Sequence, residues 1–216
     1  MRTISSAVEE VLGRSPFLLE ALSEGIANNA EIARKIRPEI EKRLYEKVSI
    51  AAVAMAVHRL GKDLKRPRYG SRFLKSLSVI TVRAHLVEFT FPNSAALPEM
   101  LEHISKLAAH RRDAFFNFSR GIHESLLIID TELADEAEIV LKKVRGTKRI
   151  DGLSAIAMRL PEESLNVPGV YYPVLKVLAL EGISFVEVMS VRTEFSIIFY
   201  DRDIDRAFSV IKHITG

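Results

Sequence analysis

The chain has 216 residues, enough to bury a substantial core as one large domain or as several small ones. Hydrophobic residues make up 48% and charged residues 27%, the balance of a globular protein, and no apolar run reaches the roughly 18 residues of a membrane span. There is no cysteine, which excludes disulfides, thiolate metal sites and Cys nucleophiles; Glu9 and Glu10 stand where a signal peptide would carry its apolar stretch, so the expectation is a cytoplasmic protein.

The formal net charge of +3 conceals an asymmetry: residues 1–75 carry 15 Lys/Arg against 9 Asp/Glu, and the remainder carries 16 against 19. A basic first third fits either a nucleic-acid surface or a solvated helical face. Residues 1–66 read as helices. Ile4, Val8 and Leu12 share a face before Gly13, and Ser15-Pro16 starts a helix. Asn28 and Asn29 can cap a helix with Ile32 and Ile36, and Pro38 is expected to end it or to start the next, with Ile40 and Leu44 continuing the apolar stripe. Ser49 caps a strongly periodic helix carrying Ile50, Val53, Val57, Leu60 and Leu64. Residues 62–75, rich in Lys and Arg and holding Pro67 and Gly70, read as a linker.

From Leu77 the period shortens. Residues 79–82 and 86–91 read as two strands, residues 94–111 as an amphipathic helix, 114–120 and 124–130 as strands, and 134–144 as a helix. The order then recurs: strand 153–160, loop 161–168, helix 169–181, strands 184–191 and 194–200, helix 204–214. Residues 115–129 align without a gap on residues 185–199, and Ala137, Val140 and Leu141 fall on Ala207, Val210 and Ile211. Self-similarity at a fixed period points to a duplicated unit. Each copy is βαββα and lacks one strand. Residues 147–152 can supply it to the first copy, and a segment near residues 77–82 can supply it to the second, which would interlock the two. The fold class expected is α+β, with an N-terminal helical module at 1–70, a first unit at 71–150 and a second at 151–216.

The second unit resembles the regulatory ACT domain, most closely the paired ACT domains at the end of aspartate kinases. The resemblance is carried by Val167-Pro168-Gly169-Val170 leading into Tyr172-Pro173-Val174-Leu175, by Leu180-Glu181-Gly182-Ile183, by residues 186–191, and by Thr193-Glu194 ahead of the strand 195–199. It covers residues 152–214. The first unit joins by its register with the second but has Pro92-Asn93-Ser94, without the glycine, at the corresponding loop. The resemblance implies ferredoxin-like βαββαβ units, a homodimer, and a non-enzymatic sensor of a small molecule, usually an amino acid, held where two such domains pack. Nothing resembling the kinase catalytic domain precedes the pair, so that activity is not implied.

The residues agree with such a site. Backbone N–H groups of Val167, Gly169 and Val170 at a helix start favour a carboxylate, and Gly169 lets the backbone approach closely. Pro168 and Tyr171 complete that loop. The strand facing it offers Phe185, Val186, Glu187 and Ser190, with Glu187 suited to an amino group. The same residues also fit an ordinary turn and an exposed strand.

Residues 30–36 and 48–60 loosely resemble the two helices of a helix-turn-helix, which would make the chain an amino-acid-responsive DNA-binding regulator; Arg59, Lys62, Lys65, Arg66, Arg68 and Arg72 would then meet phosphates. Against that stand the long interval at residues 37–47 and the apolar composition of the second helix. A third reading is a regulatory subunit that docks on a separate enzyme of an amino-acid pathway. There is no P-loop, dinucleotide fingerprint, nucleophile elbow or HExxH, and His103 with His110 lacks a third ligand, so neither catalysis, a metal nor a cofactor is expected.

Overall fold

The computed structural model describes residues 3–64, 79–95, 97–111 and 113–215. The chain divides into two compact units, residues 1–68 and 69–216.

The first unit is helical. Thr3 and Ser6 cap α1 (Ile4–Leu12) reciprocally, and Gly13 closes it. Pro16 opens α2 (Pro16–Ser23). The Asn28 carboxamide oxygen accepts the N–H groups of Ala30 and Glu31 at 3.1 and 3.3 Å, starting α3 (Asn29–Leu44). Ser49 Oγ accepts the Ala52 N–H at 3.1 Å at the head of α4 (Ile50–Asp63). Val8, Leu12, Ala33, Ile40, Val53 and Val57 form the buried centre. Pro38 neither ends this helix nor starts another, the two outcomes expected of it. α3 runs through it, because Ile32, Ala33 and Ile36 before the proline and Ile40 after it are all buried in one core. Packing on both sides outweighs the one hydrogen bond that proline removes. The interval between the two candidate DNA-binding helices is therefore not residues 37–47. It is residues 45–49, entered through Tyr45 in a left-handed conformation at φ 56°.

The second unit holds β1 (Val79–Pro92), α5 (Leu97–Ala109), β2 (Phe116–Arg120), β3 (Glu124–Asp130), α6 (Ala134–Leu141), β4 (Lys148–Arg159), α7 (Tyr172–Leu180), β5 (Glu187–Val191), β6 (Glu194–Tyr200) and α8 (Asp201–Thr215). Its strands form one antiparallel sheet in the order β2-β3-β1-β4-β6-β5. The sequence repeat is a structural repeat. Asn117 faces Ile128 on the β2–β3 ladder as Glu187 faces Ile198 on β5–β6. Ala137 and Ala207, and likewise Leu141 and Ile211, are fully buried in equivalent helices.

The two copies meet at a pseudo-dyad between Leu86 of β1 and Leu153 of β4, which face one another. On one side Arg83 faces Ala155 and on the other Glu88 faces Ile150, so each strand carries one extra residue beside the dyad. These two bulges hold the positive-φ residues His85 (61°) and Gly152 (70°). Residues 148–150 pair with 88–90 and complete the first copy, while residues 79–83 pair with 155–159 and complete the second. The interlock expected from strand counting is thus made by β1 and β4, each serving both copies, and the boundary expected at residue 150 falls inside β4. Residues 79–82 and 86–91 are one strand rather than two, since the bulge absorbs the extra residue without breaking the ladder.

Helices pack on one face of the sheet over two clusters centred on Phe89, Phe91 and Ile104, and on Phe195, Phe199 and Leu178. The opposite face has its own buried cluster of Leu86, Ile128, Leu153, Ala155 and Ile198, with Phe115 and Val186 packed against it. Phe115 and Val186 lie just ahead of β2 and β5, so the residue leading into each edge strand packs on this face. Phe115 is pinned there by Asp130. The Asp130 carboxylate takes three hydrogen bonds from Arg83 (2.7 to 3.0 Å) and one from the Phe115 N–H at 2.8 Å.

Candidate functional site

The loop from β4 to α7 is built by its own carbonyls. Pro161 O accepts both the Ser164 N–H (3.0 Å) and its hydroxyl (2.7 Å), and Ser164 O accepts the Val167 N–H at 3.0 Å. Gly169 follows at φ 70°, and its carbonyl accepts the Tyr172 N–H at 3.0 Å. The helix begins at Tyr172, three residues later than expected. The Val167 N–H is thus already used. Among the described residues the N–H groups of Gly169 and Val170 have no protein acceptor. No side chain caps α7, and its first turn has no acid. Two free amides, the helix dipole and the absence of a competing carboxylate leave this end receptive to an anion.

Tyr171 fastens the loop to the sheet. Its ring stacks on Phe195 at 4.1 Å and 14°, and its hydroxyl lies 2.7 Å from Ser190 Oγ on β5. Loop and strand therefore meet on the helix-bearing face, where Ser190 stands opposite Phe195. Glu187 is three residues from Ser190, so it points to the other face, as its partner Ile198 does. Phe185 is exposed ahead of β5, and the Val186 N–H donates to Ile198 O at 2.7 Å. The structure brings Gly169, Val170, Tyr171 and Ser190 together and leaves Glu187 across the sheet.

On that helix-free face Glu187 neighbours a residue the sequence did not single out. Glu88 is 3% exposed; its Oε1 accepts the Thr90 hydroxyl at 3.2 Å, and its Oε2 is the one buried side-chain oxygen without a partner among the described residues. Burial pushes the Glu88 carboxyl up, and the nearby Glu187 pushes it further; burial raises Glu187 as well.

In the helical unit Arg59 and Lys62 both lie exposed on α4, and Arg59 Nη2 donates to Ser5 Oγ at 3.4 Å. His58 Nδ1 is 3.2 Å from Asn29 Nδ2. Lys65, Arg66, Arg68 and Arg72 lie outside the described residues. No described group of His, Asp and Glu could hold a metal ion, and no described helix is long and apolar enough to cross a membrane.

No protein-family model and no curated protein matches the sequence. Solved structures do match. The aspartate kinase of Clostridium acetobutylicum is 10% identical with a TM-score of 0.55 over 65% of this chain and 35% of its own. The aspartate kinase of Synechocystis is 16% identical with a TM-score of 0.53 over 66% of this chain and 27% of its own. The regulatory subunit of aspartate kinase from Thermus thermophilus, in its ligand-free form, is 13% identical with a TM-score of 0.51 over 66% of this chain and 100% of its own. This chain thus matches only about a third of a full-length kinase, and all of a regulatory subunit. Identities this low speak to fold, and the fold they show is that of the paired ACT domains in the regulatory part of aspartate kinases.

Proposed function

We propose that this protein is a non-enzymatic regulator that senses an amino acid at the head of α7. The observation that carries the reading is the pair of unpaired amides at Gly169 and Val170, presented by a loop that Tyr171 ties to Ser190. The ligand's carboxylate meets these amides. Its amino group needs an acceptor other than Glu187, which lies on the opposite face of the sheet; Ser190 Oγ is on the correct side. Ligand held there bridges the loop and β5 and so couples to whatever packs on that edge, with a second copy of the chain as the partner expected of such domains. The chain's lack of cysteine suits a cytoplasmic setting.

A thermal-shift screen against the twenty amino acids tests this. A ligand present at a hundredfold its Kd stabilises by about 2.7 kcal/mol, and Gly169→Ala, which adds a side chain at φ 70°, should abolish the response while circular dichroism shows the fold retained. No shift with any amino acid would remove the proposal.

A ligand-controlled DNA-binding regulator is the second reading. It is favoured by the short 45–49 connection between α3 and α4 and by the exposure of Arg59 and Lys62 along one side of α4. Each cation that meets a phosphate contributes about one unit to the salt slope of affinity. The double change Arg59→Ala, Lys62→Ala should therefore lower the slope for duplex DNA by about two. Absence of retention on DNA at low salt would discard this reading.

A further inference from the structure

The two central strands outrun their neighbours. β3 pairs with β1 only from Leu86 onward, so among the described residues no strand lies against residues 79–85 on that side. β6 likewise reaches only to Leu153, which leaves residues 148–152 of β4 as the duplicate open edge. Counted outward from Leu86 and Leu153, Lys148, Arg149 and Asp151 stand where the first edge has Thr81, Val82 and Ala84. Arg149 is bonded to Asp151 and Glu138. The β4 edge is thus charged and tied up, a common protection of an unpaired strand. The β1 edge lacks it over residues 79–82, where Val79 is 52% and Val82 44% exposed.

Both sides of the β1 edge are hollow. A cavity of about 320 Å3 lies on the helix-free side, against Val79, Thr81, Phe115 and Ala157. Ile80 packs into the core under the helices, so Val82 points that way, and there a cavity of about 500 Å3 lies against Val82, Ala84 and His85. Asp113 and Ala114 line both. A strand added to β1 here would send alternate side chains into the two cavities. The charges around them almost cancel. Arg83 with Asp130 and Arg111 with Glu132 form ion pairs, and Arg159 stands across the ladder from Glu194. Asp113 is the carboxylate left over, and among the described residues it has no partner.

We propose that residues 79–85 of β1 are a docking edge for an extended peptide segment of a partner protein. An apolar residue of that segment lies over Thr81, Ala157 and Phe115, and the adjoining residue is a lysine or arginine that meets Asp113. Main-chain pairing supplies affinity, and the two cavities select for alternating apolar and basic residues. The bulge at His85 ends the ladder, so the segment is about six residues long. The edge does not depend on the α7 loop.

The probe is the peptide acetyl-Val-Lys-Val-Lys-Val-Lys-Val-amide, added to the whole chain while amide hydrogen exchange is followed. Exchange at residues 79–85 should slow saturably. N-methylation of either the valines or the lysines blocks one side of the added strand, so one modified peptide should bind and the other should not. Asp113→Lys should weaken binding about tenfold, and a peptide with glutamate in place of lysine should prefer that variant to the unaltered chain. Unchanged exchange in the rest of the sheet reports that the variant is folded. Exchange at 79–85 that ignores the peptide, like behaviour of the two methylated peptides, or an Asp113→Lys variant indifferent to lysine or glutamate would overturn the proposal. So would protection confined to β2 or β5, or slowing at 79–85 that grows with protein concentration alone, which would give the edge to a second copy of the chain.

Discussion

His85 stands at φ 61° in a bulge whose duplicate holds Gly152 at φ 70°. A residue with a side chain pays roughly 1–2 kcal/mol in that region, and glycine loses about 0.5–1 kcal/mol more entropy on folding. His85→Gly should therefore raise stability by up to about 1 kcal/mol in urea denaturation; a loss would show that the imidazole makes a contact outweighing the strain. Glu88 is the other residue out of keeping with its surroundings. Its carboxyl and that of Glu187 are held above their ordinary 4.5, so each binds its proton more tightly in the folded chain than in the unfolded one. The stabilisation from that proton is complete below about pH 4.5 and is lost as pH rises through the raised values. Glu88→Met keeps the volume and removes the unpaired oxygen. It should add about 1–3 kcal/mol near neutral pH, a gain that shrinks as the solution is acidified. A difference between the two proteins that does not change with pH would refute a titrating Glu88.

Among the elements, α3 is where local preference and packing conflict most openly. Pro38 is exposed, so its ring fills no core space, yet it leaves the Arg34 carbonyl without its helical donor. Pro38→Ala should stabilise the helical unit by as much as about 3 kcal/mol, the interior cost of proline, read as a higher melting temperature of that unit; no change would mean the helix already relaxes around the ring. β5 also differed from its sequence reading. Alternation alone puts Glu187 and Ser190, three residues apart, on opposite faces, so the split of the candidate site was readable from residue spacing. What spacing could not show was which face the α7 loop would occupy; that follows from Tyr171 reaching Phe195 and Ser190. The duplication itself was legible because the alignment of residues 115–129 on 185–199 keeps the strand register residue for residue. The burial of Glu88 was not. A sheet face without helices ordinarily meets water, and here its centre is a buried cluster around Leu86, Leu153 and Ile198 that no periodicity announces.

At the scale of the molecule, the shared strands make the duplicated part of the chain one cooperative body. The second copy owns only three strands. Its fourth place is filled by residues 79–83, which precede everything else in the sheet. Cutting at residue 150 would strip β4 of residues 148–150 and leave residues 153–159 paired with β6 on one side but without β1 on the other. The fully buried Ala155 and Ile156 would then lie on an open edge, and unpaired backbone on a long apolar edge strand invites aggregation rather than independent folding. A fragment spanning 151–216 should therefore show neither a cooperative melt nor the circular dichroism of an antiparallel sheet, whereas residues 69–216 should unfold in a single calorimetric transition whose van't Hoff and calorimetric enthalpies agree. Adding the complementary fragment 69–150 should restore the sheet signal in proportion to concentration, because the interlock can form between chains as well as within one. Two separated transitions in the 69–216 protein, or a stably folded 151–216 fragment, would mean that each copy completes its own sheet and that the exchange of strands around Leu86 and Leu153 is dispensable.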